Sequence, residues 1–233
     1  MPVAIETLLA SIFWPAATIG VYLAARQVYR RWPSPWLSPL LVAPVVLIAL
    51  ALILKQSYAQ YIHVTHWLVA MLGPATVAFA VPIYEQRATI RRYWPALAFG
   101  VVVGSATAMV SAWGLASLLS IDGTLRLSLM ARSFSTPFAM TVSKDIGGVP
   151  DLTAIFVVVT GVLGAALGDL LMGFLPLKSA MARGALFGMG AHGAGVARAN
   201  EIGREEGSIA SLVMVLVGLV NVLFAPLLSI LLR

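Results

Sequence analysis

Runs of mostly apolar residues recur along this chain from one end to the other. They fall at roughly 5–25, 37–54, 66–84, 94–120, 127–143, 151–176, 184–200 and 208–232. About twenty such residues is the length a helix needs to cross the hydrocarbon core of a bilayer. Only 10% of the 233 residues are charged and 60% are hydrophobic, with a mean hydropathy of +0.95. A soluble domain carries about 25% charged residues, so this chain lacks the polar surface to cover a compact apolar body in water. Lipid is the solvent it suits. The short polar joints between runs leave no room for a soluble domain, and residues 1–233 read as one membrane domain.

The charge of +6 and isoelectric point of about 10.1 do not point to nucleic acid. The basic residues sit in small groups at the ends of apolar runs, as charges that fix topology do. No polar domain carries a basic stripe. Cysteine is absent, which excludes disulfides, thiolate metal sites and cysteine nucleophiles. Glu6 precedes the first run and Arg26, Arg30 and Arg31 follow it. That order suits a retained first helix ending in the cytoplasm, not a cleaved signal. Arg87, Arg91 and Arg92 lie two crossings later and are expected on the same side, with the N-terminus outside. Beyond residue 122, Arg126, Arg132, Lys144, Lys178 and Arg183 show no clean asymmetry. Trp32, Trp36, Tyr58, Tyr61, Trp67, Tyr93 and Trp94 mark segment edges, where amphipathic rings prefer the headgroup layer.

The first two segments and the last are plain Leu/Val/Ile runs. Between Gly73 and Gly195 the runs are broken by Gly, Pro, Ser and Thr. Gly100 and Gly104, and Gly161, Gly164 and Gly168, have the small-residue spacing of close helix contacts. Two prolines interrupt other runs, at Gly73-Pro74-Ala75-Thr76 and at Ser135-Thr136-Pro137. Thr before Pro has the chemistry of an N-cap followed by a first helical residue. A half-helix starting there leaves backbone N–H groups to be satisfied by protein, water or ligand, and its positive dipole end suits a carboxylate. Each break precedes a glycine-rich helix. Paired interrupted segments are the pointer to a transporter site near the midplane; an ordinary proline kink is the simpler alternative.

The most polar apolar stretch runs from Gly188 to Glu201. It carries His192, Arg198 and Asn200 among small residues, a costly set in lipid unless it faces a protein interior or a water-filled cavity. His192 and Arg198 are read as cavity residues, His192 as a proton relay or a neutral hydrogen-bonding group. Glu201, Glu205 and Glu206 are read as helix-end charges, Glu201 pairing with Arg198 at i,i+3. Asp169 is either a proton site or a helix-end residue. Lys144 and Asp145 follow the second break as a local pair. His63 and His66 lack the further ligands a metal needs. No nucleophile–base set, phosphate loop or metal motif is present, so no enzyme and no cofactor are expected.

Three ordered stretches resemble the LrgB/CidB family. Ser133-Phe134-Ser135-Thr136-Pro137-Phe138-Ala139-Met140 with Ile146-Gly147-Gly148-Val149-Pro150 is similar to its hallmark K-S-V-T-T-P-I-A-M followed by G-G-I-P. Ala191-His192-Gly193-Ala194-Gly195-Val196-Ala197-Arg198-Ala199 is similar to S-H-G-I-G-T-A-R-A. Leu72-Gly73-Pro74-Ala75-Thr76-Val77-Ala78 with Val81-Pro82-Ile83-Tyr84 is similar to L-G-P-A-T-V-A and V-P-L-Y. Arg132 stands where the family commonly has Lys, Ser135 replaces Thr, Ala191 replaces Ser and Val196 replaces Thr. The resemblance covers about 66–233, leaving about 1–60 as peripheral helices.

The resemblance implies a multi-pass bacterial inner-membrane protein. Family members are described as antiholin-like regulators of murein hydrolase activity and autolysis, acting with a small LrgA/CidA-type subunit. Relatives are also implicated in moving monocarboxylates: pyruvate in bacteria, glycolate with glycerate in plastids. The expected fold is an all-α polytopic bundle with two broken helices and an inverted-repeat, transporter-like core. The expected activity is ion-coupled (H+ or Na+) transport of a small organic anion, with antiholin-like regulation as the alternative. Thr76, Ser133, Ser135, Thr136, Pro137, His192, Gly193, Gly195, Arg198 and Asn200 are the expected substrate-binding residues. The expected partners are lipid, a second copy of the chain or the small subunit, and no nucleic acid.

Overall fold

The computed structural model describes residues 2–231, without the side chains of residues 2–10, Pro35 and Leu231. Among the described residues it is all helical, with no strand. Among the described residues, four stretches are long and apolar enough to cross a membrane: Tyr58–Glu85, Arg87–Leu118, Pro150–Phe174 and Arg204–Ile230. The chain forms two compact units, Met1–Ala75 and Thr76–Arg233.

In the first unit, α1 (Pro2–Arg31) is followed by a 3-10 turn at Pro35–Leu37, α2 (Pro39–Ile53) and α3 (Tyr58–Ala70). Ser38 caps α2 by accepting from the Leu40 N–H. Ser57 and Gln60 form a reciprocal capping box at the start of α3, satisfying donors that a helix start leaves orphaned. Trp14 is buried and meets Tyr61 edge-to-face at 5.3 Å. The Tyr61 hydroxyl hydrogen-bonds Thr18 Oγ1 at 2.9 Å, which gives a ring in an apolar layer a polar partner.

The segment Gly73–Thr76, expected to be unwound, is instead helical within α4 (Leu72–Ala78). Pro74 falls in the first turn of α4, where the N–H it lacks is an orphan anyway. The flanking joints, Met71 and Phe79, keep right-handed helical backbone.

In the second unit, α5 (Ala80–Glu85) leads into α6 (Arg87–Leu118), which bends at Tyr93 (φ −115°, ψ 18°). Pro95 explains the bend, because its ring meets the carbonyl four residues earlier and removes one helical hydrogen bond. Then come α7 (Gly123–Met130), a 3-10 turn at Ala131–Ser133, α8 (Thr136–Ile146), α9 (Pro150–Phe174), α10 (Ala180–Ile202) and α11 (Arg204–Leu231). Phe134 and Ser135 are extended. Gly147 closes α8 at φ +91°, the left-handed C-cap for which glycine carries no Cβ penalty.

Two reversals organise this unit. Ser128 on α7 accepts from the Val149 N–H at 2.8 Å, and Thr153 on α9 donates to Ser143 Oγ on α8 at 2.6 Å. Further along, Arg132 reaches Thr160 at 3.0 Å. So α7 runs alongside α9 in the same sense and α8 returns beside it. The second reversal is within α10. His192 has φ +45°, ψ −121°, and a Cβ on Gly195 would collide with the Phe187 carbonyl. A straight helix would hold residues eight apart at about 12 Å along the axis. Hence 180–191 and 193–202 are antiparallel limbs. Phe187, Ala199 and Ala210 bury one another where both limbs meet α11.

The glycine faces act as packing contacts. A Cβ on Gly161 would stand 3.3 Å from the Ala191 carbonyl oxygen, one on Gly168 2.6 Å from the Phe187 ring, and one on Gly164 would strike the Gly190 carbonyl. Gly104 lies against Met189, whereas Gly100 faces open space, part of an apolar cavity of about 320 Å³ bounded by Leu97, Leu186 and Val213. The main core joins Phe134, Phe138, Val142, Leu212 and Val217, with Phe138 seated over Gly218. The last segment is less plain than its sequence. Buried Asn221 donates to Ser105 Oγ and to the Val217 carbonyl, both at 2.7 Å.

Candidate functional site

The two reversals meet near the middle of α9. Thr160 touches the first through Arg132, and Gly161 touches the second at Ala191, Ala194 and His192. The 3-10 turn and extended Phe134–Ser135 therefore face the His192 bend directly. The His192 ring lies beside the Ser133 backbone. At 1.5 Å per residue α9 is about 37 Å long, so its middle lies deep in a bilayer core of about 30 Å.

Each residue here has a local reason for its position. Ser135 is the N-cap of α8 and Pro137 stands in its first turn, yet the Ser135 hydroxyl caps nothing. It is buried and, among the described residues, without a hydrogen-bond partner, and so is His192 Nε2. A buried polar atom left unsatisfied costs about 1–3 kcal/mol. The first-turn N–H groups of α8 also lack intrahelical acceptors. Arg132 is half-buried and donates from Nη1 to Thr160. Among the described residues no carboxylate pairs with it. One cation, one hydroxyl, one imidazole nitrogen and a helix N-terminus converge, a set that can neutralise and hydrogen-bond a small anion.

Of the residues expected from sequence, Ser133, Ser135, Thr136, Pro137 and His192 belong to this cluster. Gly193 follows the bend, and a Cβ there would meet nothing within 4 Å, while Gly195 is the contact that lets the limbs close. Arg198 is engaged elsewhere. Its Nε donates to Asp169 Oδ1 and Oδ2 at 2.8 and 2.9 Å, and its Nη1 to Glu201 Oε2 at 2.7 Å. Its charge is thus neutralised by two carboxylates, one on α9 and one on its own limb. The expected i,i+3 pair of Arg198 with Glu201 is present, and Asp169, for which two readings were open, is a second ion-pair partner of Arg198. Asn200 donates to the Val196 carbonyl and lies over Gly207. Thr76 is on α4, a different element from those that carry the cluster. Glu206, expected as a solvated helix-end charge, is buried and bound by Arg183 at 2.6 Å, because α11 starts beneath the base of α10. Among the described residues no group of His and carboxylates could hold a metal ion.

Arg132 and Thr160 carry the cationic side of the site and were not among the expected residues. The signal for Arg132 was present, since it occupies the cationic position of the first motif. Thr160 had none, because a lone Thr in an apolar run is ordinary.

Helical composition, four apolar spans and buried polar groups at mid-span define a multi-pass membrane protein. Its sequence matches the LrgB-like family over residues 18–231. The chain belongs to that family. It is 40% identical over 209 residues to an uncharacterized Bacillus subtilis protein, YwbG, covering 90% of this chain and 93% of that one. It is 35% identical to antiholin-like protein LrgB of Bacillus subtilis, over 81% of this chain and 82% of the relative. Identity to holin-like protein CidB of Staphylococcus epidermidis is 27%, over 92% and 93%. No solved structure matches the chain.

Proposed function

We propose that the protein is a secondary transporter of small organic anions, holding its substrate where the two reversals meet. The observation that carries this reading is Arg132, a half-buried cation at mid-span that has a hydroxyl partner and no carboxylate among the described residues. An ionisable group at such depth is expensive and marks a substrate or ion path. A bound carboxylate would neutralise it while accepting from the α8 N-terminus and Ser135. His192 Nε2 would then meet a second polar group of the substrate or take part in ion coupling, by H+ or Na+.

Architecture supports the same reading. In α7–α8–α9 a helical hairpin precedes a span, and in α10–α11 a second hairpin precedes a span running the opposite way. Read as an inverted repeat of discontinuous helices, this is the arrangement of secondary transporters with midplane sites. The repeat pairs 131–135 with His192, in place of the pairing with Gly73–Thr76 that the prolines suggested. Arg87, Arg91, Arg92, Lys178, Arg183 and Arg204 gather at the end where α6 meets the base of α10, and Arg126 and Lys144 at the other. The positive-inside rule makes the richer end cytoplasmic, with the bacterial inner membrane as the location.

The substrate class follows from the family resemblance: a monocarboxylate such as pyruvate, or glycolate with glycerate. The test is uptake of labelled pyruvate, glycolate and lactate into proteoliposomes under proton or sodium gradients. Saturable uptake that collapses in Arg132→Gln and survives in part in Arg132→Lys is expected. Failure of all three substrates under both gradients removes the proposal.

A second reading rests on the relatives' printed names. Antiholin-like LrgB and holin-like CidB support, more directly than they support transport, an antiholin-like regulator of murein hydrolase activity that works with an LrgA/CidA-type partner or a second copy of itself. That reading predicts altered autolysis or unselective dye leakage with no saturable substrate, and indifference to Arg132→Gln.

A further inference from the structure

A groove of about 380 Å³ lies at the corner between α5 and α6, walled by Ala80, Ile83, Tyr84 and Ile90, with Arg87 and Arg91 beside them. Its position is where one apolar stretch, Tyr58–Glu85, ends and the next, Arg87–Leu118, begins. In a membrane protein that corner sits at the boundary between acyl chains and headgroups. The two arginines are four apart, so they share one face of α6. Arg87 is held in place: its guanidinium lies 4.3 Å from the Tyr84 ring centroid and its Nη1 donates to the Tyr84 carbonyl at 2.9 Å. Glu85 is adjacent in sequence, yet among the described residues no carboxylate forms an ion pair with Arg87 or Arg91.

We propose that this groove binds an anionic phospholipid, with one acyl chain along the apolar wall and the phosphodiester between Arg87 and Arg91. Charge complementarity and the apolar walls select that occupant together. A water-soluble anion would leave Ile83 and Ile90 uncovered, and a zwitterionic lipid would bring an ammonium that offsets its own phosphate. Juxtamembrane arginines attract anionic headgroups with an energy that adds per residue. Two of them give roughly a 30-fold preference for an anionic over a zwitterionic headgroup.

Arg92 supplies an internal control. It lines a separate polar cavity of about 410 Å³ with Tyr93, Ser179 and Glu205, so it carries similar charge at a similar depth on a different wall. The experiment is native mass spectrometry of the full chain in detergent, titrated with phosphatidylglycerol, phosphatidylcholine of matched chains, and glycerol phosphate without chains. Tight phosphatidylglycerol binding is expected, roughly 30-fold weaker phosphatidylcholine binding, and none of glycerol phosphate. Arg87→Gln with Arg91→Gln should bring the two lipids to parity. Arg87→Lys with Arg91→Lys should keep most of the preference, and Arg92→Gln all of it. Equal binding of the two lipids by the native chain overturns the proposal. So does retained preference in the double Gln variant, or a preference that Arg92→Gln removes equally well. None of these outcomes depends on whether the protein transports an anion.

Discussion

His192 offers a measurement in which the usual order of two substitutions should reverse. In a continuous helix Ala is favoured over Gly by about 1 kcal/mol, since Gly loses more backbone freedom on folding. At φ +45°, ψ −121° an L-residue instead carries steric strain of about 1–3 kcal/mol, from which Gly is exempt. Both His192→Ala and His192→Gly delete the same buried ring, so the lost packing and the Ser133 contact cancel in the comparison. Setting about 1–3 kcal/mol of strain against about 0.5–1 kcal/mol of glycine entropy leaves the Gly variant ahead by about 1 kcal/mol. For a chain of this length that is about 2–4 °C in Tm, measurable by thermal unfolding in detergent. If the Ala variant proves the more stable by a similar margin, 180–202 is a continuous helix and the facing arrangement of the two reversals falls with it. Both variants lack Nε2, so both should lose saturable uptake whichever is more stable.

Arg198 should behave as a structural residue: Arg198→Gln and Asp169→Asn, combined, should destabilise less than the sum of the singles, with coupling of about 0.5–1 kcal/mol. Gly164→Val pushes a side chain into the Gly190 carbonyl and should cost about 1–3 kcal/mol, while Gly100→Ala, facing open space, should be near neutral by the same unfolding assay. Asn221→Leu leaves Ser105 Oγ without its donor and should cost about 1–3 kcal/mol, part of it recovered by adding Ser105→Ala.

Much of this was legible in the chain itself. Apolar runs of bilayer length required membrane helices, because no other partner for that surface exists. Most of their borders fell within about four residues of a helix end, but those at 25, 66 and 94 missed the ends at Arg31, Tyr58 and Arg87 by six to eight, and the run 127–143 is two helices. Thr136-Pro137 announced a helix start through local chemistry alone, a cap residue and then a ring that fixes φ and needs no N–H, but one residue late: Ser135 is the extended cap and Thr136 the first helical residue. The glycine spacing announced close contacts, since only hydrogen lets two helix backbones approach.

What stayed illegible were relations between distant segments. Gly73-Pro74 carries the same local signal as Thr136-Pro137, but a proline in a first turn interrupts nothing, and only the position of the helix start separates the cases. The reversal at His192 has no proline at all; it depends on a bend closed by Gly195 over Phe187 and on the packing that holds the strained residue. The partners of the two intramembrane arginines were likewise a tertiary matter. Sequence neighbours offered Arg198 a single partner, Glu201, yet Asp169, 29 positions away, binds it as well, while among the described residues Arg132 meets a hydroxyl 28 positions off and no carboxylate. Composition could say that charge in lipid must be compensated. Only the folded arrangement decides which charge has a carboxylate partner and which has a hydroxyl.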